Sequence, residues 1–229
     1  LFTGENNEFT GYETLTTDGA KVLAVYKDGT QVEEAQAGDD VLVVLDKTPF
    51  YAEMGGQVGD AGILENGSTL LKVTDCLKLK ASVFSHVAHV CEGTVKTGDT
   101  FKAVVDADRR AAIMRNHSAT HLMHKALREV LGEHVAQKGS LVNESVTRFD
   151  FHHDKPMSAE EIRAVENLVN AEILKNSAVK CEVMSIENAR KSGATMLFGE
   201  KYGETVRVLT IGNSVELCGG THVARTGDI

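Results

Sequence analysis

Apolar and polar residues alternate in short runs through the first half of the chain, then give way to longer stretches with helical spacing. Residues 21–26 predict a strand ending at Asp28-Gly29, a two-residue hairpin signal. Residues 41–45 form an apolar run between Gly38-Asp39-Asp40 and Lys47-Thr48-Pro49. Further strands are expected at 61–64, 68–78, 83–90 and 100–105, separated by Gly, Asn or Asp. Many short strands with regular turns predict a small barrel or sandwich. Within this region Gly55, Gly56 and Gly59 permit either a sharp turn or a close backbone approach.

The spacing changes after residue 105. Asp106 or Asp108 can cap a helix over 109–131, with Ile113, Leu122, Ala126, Leu127 and Val130 at its apolar positions and Gly132 at its C-terminus. Two antiparallel strands, 134–142 and 147–151, are expected around an Asn-Glu-Ser turn. Ser158 and Glu161 form a capping box that opens a second helix towards Lys175, with Ile162, Val165, Leu168, Val169 and Ile173 on its buried face. A strand at 179–186, a helical turn at 187–192 and a strand at 205–211 follow. The expected class is α+β: a small β-barrel domain over 1–105 containing the Gly-Gly motif, then an α/β core over 106–229 with an antiparallel sheet and two main helices.

Composition narrows the class. The 229 residues are 42% hydrophobic and 25% charged, which suits a globular chain. No apolar run approaches membrane-spanning length, and no signal segment opens the chain. A net charge of −9 argues against binding nucleic acid through bulk charge, while leaving room for a local basic patch. The 4 cysteines form no CxxC pair, which fits a reducing, cytoplasmic setting. Of these, Cys76, Cys91 and Cys181 are expected to be buried small apolar residues. The first residue is Leu1 rather than methionine, so a piece of a larger protein is expected.

Candidate chemistry centres on the first helix. His117 and His121 fall one turn apart on one face, which begins a metal site without completing it. His124 lies near that face and is expected to be a neighbour or a surface residue. Near the end, Cys218-Gly219-Gly220-Thr221-His222 places a thiolate and an imidazole three residues apart, with glycines that let both aim at one ion. Together the two pairs give three nitrogen ligands and one sulfur, a set suited to Zn²⁺. Arg109, Arg110 and Arg115 precede the histidines on the helix and are candidate phosphate contacts.

The stretches His117-Ser118-Ala119-Thr120-His121, Gln137-Lys138-Gly139-Ser140, Arg148-Phe149-Asp150-Phe151, residues 197–203 (LFGEKYG) and Cys218–His222, with Gly55-Gly56-Gln57, resemble the editing domain of alanyl-tRNA synthetases. The resemblance runs from about Thr10 to the end. Threonyl-tRNA synthetases carry a related domain, but Gly-Gly-Gln and LFGEKYG favour the alanine branch. The resemblance implies hydrolysis of the ester of seryl- and glycyl-tRNA(Ala), with Zn²⁺ held by His117, His121, Cys218 and His222. It also implies that the tRNA(Ala) acceptor end and the other domains of a parent synthetase are partners, with aminoacylation belonging to those domains. A tRNA-binding module stabilised by zinc but without hydrolytic activity is the alternative.

The residues suit this chemistry. The HExxH glutamate of zinc proteases is absent; Ser118 takes its place and is a poor base. Four protein ligands make a closed site, which favours a metal that anchors the substrate amino group while another group positions water. Serine is larger than alanine, so a size sieve cannot pass serine alone. A buried polar group that needs the serine hydroxyl can discriminate. Gln137, Thr120 and Thr221 are the candidates, Gln137 foremost. The expected catalytic residues are thus Gln137, Thr120 and Cys218. Expected at the substrate are Gln137, Thr221, Gly219, Gly220, Arg115, Gly55 and Gly56. Lys78, Lys80, Lys138 and Lys201 are further candidates for tRNA phosphates.

Overall fold

The computed structural model describes residues 7–80 (the Lys80 side chain excepted), 82–196 and 202–229. Most of the LFGEKYG motif, including Lys201, therefore lies outside the described residues. The chain divides into two compact units. One holds the chain up to Met54 with Val58–Arg110, and the other Gly55–Gln57 with Ala111–Ile229.

The first unit is built on strands β1 (Thr16–Lys27), β2 (Asp40–Leu45), β3 (Gly62–Glu65), β4 (Leu70–Lys80), β5 (Val83–Glu92) and β6 (Thr100–Val105). They pair antiparallel in the order β6-β3-β4-β5-β2-β1, and β6 returns to β1 through Phe101–Ala20 and Val104–Thr16 to close a barrel. Closure satisfies the main-chain groups that an open sheet leaves at its edges. The Asp28-Gly29 turn forms as expected, with φ of 52° and 78°, and Lys27 pairs with Thr30 across it. Val22, Val43, Leu45, Leu64, Leu71, Val90 and Phe101 share one buried cluster. Each such side chain stabilises the barrel by roughly 1.5–3 kcal/mol.

Two polar residues inside this unit are fully partnered. His86 is buried, with Nδ1 2.8 Å from Val43 O and Nε2 2.7 Å from Thr48 Oγ1. Burial pushes its pKa down to about 4, against the hydrogen bond to Val43. Arg110 is 2% exposed; its guanidinium meets both Asp60 oxygens and donates to the carbonyls of Gly11 (2.8 Å) and Pro49 (2.9 Å). This corrects its expected role as a phosphate contact. All three guanidinium nitrogens donate within the protein, and the charge is balanced by Asp60.

Helix α1 (Ala107–Leu131) leads into the second unit. Asp106 is its cap, accepting the Arg109 N–H at 3.1 Å. Leu122 packs on Leu209 and Ile211, and Ala126 and Leu127 pack with Val135 and Val165. The hairpin β7 (Gln137–Val142) and β8 (Thr147–Phe151) pairs antiparallel around Asn143, whose Oδ1 accepts from Ser145 N and Val146 N. Residues 134–136, expected in this strand, lie outside it. Helix α2 (Ala159–Leu174) opens with the Ser158–Glu161 capping box. Val165 is buried and Leu168, Val169 and Ile173 pack part-buried against the core as expected, whereas Ile162, a turn earlier, is 45% exposed.

Strand β9 (Lys180–Ser185), helix α3 (Ile186–Lys191), strand β10 (Thr205–Ile211) and strand β11 (Ser214–Leu217) complete the unit. The strands form an antiparallel sheet with β10 in the middle. Strand β11 was not anticipated, because Gly212-Asn213 reads equally well as a loop. Cys181 and Cys91 are exposed, contrary to expectation, and Cys76 alone of the three is buried. Cys181 lies on edge strand β9, with four consecutive exposed residues; Cys91 lies at the exposed end of β5. Among the described residues no helix is long and apolar enough to cross a membrane.

Candidate metal centre

Within the second unit, α1 presents His117 and His121 as a stacked pair, ring centroids 5.1 Å apart. The loop after β11 brings Cys218 and His222 to them. Its start is fixed by the Cys218 N–H on Arg207 O (3.1 Å), and its end by the Val223 N–H on Ser118 Oγ (3.0 Å). Ser118 in turn donates to Met114 O at 2.7 Å. The residue between the two histidines therefore ties loop to helix, and its oxygen has no role left as a base.

The donor atoms of His117, His121, Cys218 and His222 all lie within 4.8 Å of one another. Cys218 Sγ is 3.5 Å from His117 Nε2 and 3.4 Å from His222 Nε2, and His121 Nε2 is 3.2 Å from His222 Nε2. A tetrahedral ion with nitrogen bonds near 2.0 Å and a sulfur bond near 2.3 Å needs ligand–ligand edges of roughly 3.3–3.6 Å. Three of the six edges, at 3.2–3.5 Å, match that figure, and the donor set is that of a four-coordinate transition-metal site. Gly220 is required for this closeness: a Cβ there would stand 2.2 Å from His117 Cε1 and 2.7 Å from Gln57 Oε1.

The far nitrogens of two candidate ligands, His121 and His117, are held by acceptors, as is Nδ1 of His124 beside them. Glu216 Oε1 lies 2.9 Å from His121 Nδ1, and Oε2 lies 3.0 Å from His124 Nδ1. Gln57 Oε1 lies 2.7 Å from His117 Nδ1. In a neutral ring such partners fix orientation and leave the lone pair on Nε2 for an ion, and they raise ligand basicity. The charges are mutually supporting. Burial resists ionisation of Cys218, yet His117, His222 and His121 around it pull its pKa well below the usual thiol range. Burial likewise resists ionisation of Glu216, yet hydrogen bonds from His121 and His124 bring it to about 2. Burial lowers His121, but Cys218 and Glu216 outweigh it and raise the pKa to about 10.

The other expected site residues divide. Thr221 is buried and bonded to Gln57, with its Oγ1 2.8 Å from Gln57 Nε2 and its N–H 3.0 Å from Gln57 Oε1. Gly219 and Gly220 lie in the same loop. Gly56 has φ +90° and accepts the Val142 N–H on its carbonyl at 2.7 Å; a Cβ on it would meet Ser140 Oγ at 2.3 Å. Gly55, with φ +61°, has open space around it. Thr120 faces β8 instead: its hydroxyl donates to Asn116 O and pairs with Thr147 Oγ1. Gln137 donates to Ser140 Oγ at 2.8 Å, and Arg115 is exposed. Lys138 is exposed, and Lys78 reaches Met54 Sδ. His124 is buried rather than on the surface, beside Glu216 and Phe149.

Gln57 and Glu216 were missed as site residues. Gln57 marks the family resemblance in Gly-Gly-Gln, but only the glycines of that stretch are expected at the site, sixty residues before His117. Glu216 stands two residues before Cys218, and a carboxylate so near a thiolate and an imidazole is the available signal.

Comparison with known proteins shows the family. Residues 3–109 match the family model for tRNA synthetases class II (A), and residues 206–229 match the threonyl and alanyl tRNA synthetase second additional domain. Over 228 residues the chain is 63% identical to an alanine–tRNA ligase of Leptothrix cholodnii. It is 60% identical to those of Polynucleobacter asymbioticus and Bordetella petrii. All of this chain is covered in each case, against 26% of each relative. The chain belongs to the alanyl-tRNA synthetase family, and it spans about a quarter of the length of these curated relatives.

Proposed function

We propose that this chain hydrolyses the ester of tRNA(Ala) mischarged with serine or glycine, using a Zn²⁺ ion held by His117, His121, Cys218 and His222. The observation that carries the reading is the His₃Cys cluster, whose four donor atoms lie within 4.8 Å of one another, in a chain of this family. The reaction adds water to the aminoacyl carbonyl and breaks the bond to the ribose oxygen, which leaves as the hydroxyl; amino acid and tRNA are the products. Zn²⁺ would supply a localised positive charge that polarises and orients the aminoacyl group.

This chain's own residues do the rest. Glu216 and Gln57 hold the ligand rings in place. The Cys218–His222 loop, with Gly219, Gly220 and Thr221, lies against the aminoacyl group. Gln137, Thr120 and the Gly55-Gly56 turn form the more distant wall, and exposed Arg115 and Lys138 meet phosphates of the acceptor end. Two functional parts are proposed, a barrel over 1–105 and the editing core over 106–229, working in the cytoplasm. Aminoacylation and most tRNA recognition are assigned to other domains of a parent synthetase. The test is release of serine from seryl-tRNA(Ala) by this chain. Release well above the spontaneous rate is expected; binding without release would leave a zinc-stabilised tRNA-binding module.

A further inference from the structure

We infer that Gln57 is a positioning residue that fixes two things at once: the coordinating nitrogen of His117, and the direction of the Thr221 hydroxyl proton, which then reads the serine side chain. The second half rests on the editing reaction proposed above; the first does not.

The inference starts from one unambiguous donor. The backbone N–H of Thr221 can only donate, and it lies 3.0 Å from one terminal atom of the Gln57 amide. That atom must therefore be the oxygen, because the NH₂ end would set donor against donor. The same oxygen lies 2.7 Å from His117 Nδ1, so Nδ1 must carry a proton. A neutral His117 is then left with its lone pair on Nε2, the atom facing Cys218 Sγ at 3.5 Å.

The other end of the amide completes the chain of consequences. Gln57 Nε2 is a pure donor and lies 2.8 Å from Thr221 Oγ1. The hydroxyl oxygen must accept from it, so the single Thr221 proton is turned away from Gln57. Thr221 thus offers a donor that a serine hydroxyl can satisfy and an alanine methyl cannot. Gln57 itself is 0% exposed, so all three contacts are made away from competing water.

Gln57→Glu separates these roles from bulk packing. A carboxylate there still accepts from His117 Nδ1 and Thr221 N–H, but it turns the Thr221 proton inwards because it now accepts from the hydroxyl as well. Zn²⁺ affinity, read by competition with a chromophoric chelator, should fall about 10–100-fold in Gln57→Ala and stay close to wild type in Gln57→Glu. Selectivity is read by binding adenosine that carries serine or alanine through a non-hydrolysable 3′-amide. The preference for serine should drop at least about tenfold in Gln57→Glu. Thr221→Val, which keeps the shape and removes the hydroxyl, should show the same drop, so the test survives if a carboxylate at 57 prevents folding.

Loss of Zn²⁺ affinity in a folded Gln57→Glu equal to that in Gln57→Ala would overturn the His117 half. An unchanged serine preference in Thr221→Val, or no preference in the wild type, would overturn the Thr221 half. A wild type that binds the seryl analogue selectively yet releases no serine from seryl-tRNA(Ala) would defeat the deacylase reading, while the variants above still decide both roles of Gln57.

Discussion

Glu216 and His121, ninety-five residues apart in sequence, meet at 2.9 Å between Oε1 and Nδ1, and the other oxygen of the same carboxylate holds His124. One side chain therefore sets the tautomer of a candidate ligand and anchors it to a second ring outside the cluster. Glu216→Gln keeps the shape but removes the charge and one acceptor. Its Zn²⁺ affinity should fall about 10–100-fold while the fold is retained. Chelator competition checks this, with circular dichroism as the control for folding.

Arg110 and Asp60 make a buried pair inside the barrel unit, so removing one partner strands the other's charge. Arg110→Met should destabilise that unit by about 3–5 kcal/mol. The double variant Arg110→Met with Asp60→Asn should recover part of that loss. Urea denaturation of the three proteins measures both effects.

His86 gives the barrel a pH dependence whose sign follows from its pKa, lowered from 6.5 to about 4 by burial. Between these values the unfolded chain binds a proton that the folded chain refuses. The stabilising contribution is therefore complete above pH 6.5 and is lost as pH falls towards 4. At full extent it amounts to about 3 kcal/mol. Stability measured across this window should decline with acid in the wild type, and more shallowly, by close to one proton, in His86→Leu.

What the sequence revealed, and what it hid, has a physical pattern. The barrel strands could be read because period-2 alternation and Gly or Asp turns are local signals. The same holds for the Ser158–Glu161 cap, and for His117 and His121, whose spacing matches the helical turn. Cys218 and His222 could be joined to them only by donor chemistry, since nothing local links positions about a hundred residues apart. Gln57 was out of reach on the same grounds: its partners His117 and Thr221 come together only in the folded chain. Arg110 misled because a charge on a helix reads as solvated unless its buried counterion, Asp60, is known. Cys91 and Cys181 misled because a strand's pattern does not say whether it ends at a surface or lies at an edge.

The most direct test combines two measurements on one pair of proteins: bound zinc per chain, and the rate of serine release from seryl-tRNA(Ala), for the wild type and Cys218→Ala. The expected result is one zinc per wild-type chain with rapid release of serine, and loss of both in the variant. Unchanged deacylation by a Cys218→Ala protein depleted of zinc would contradict the assignment of this cluster as the functional centre.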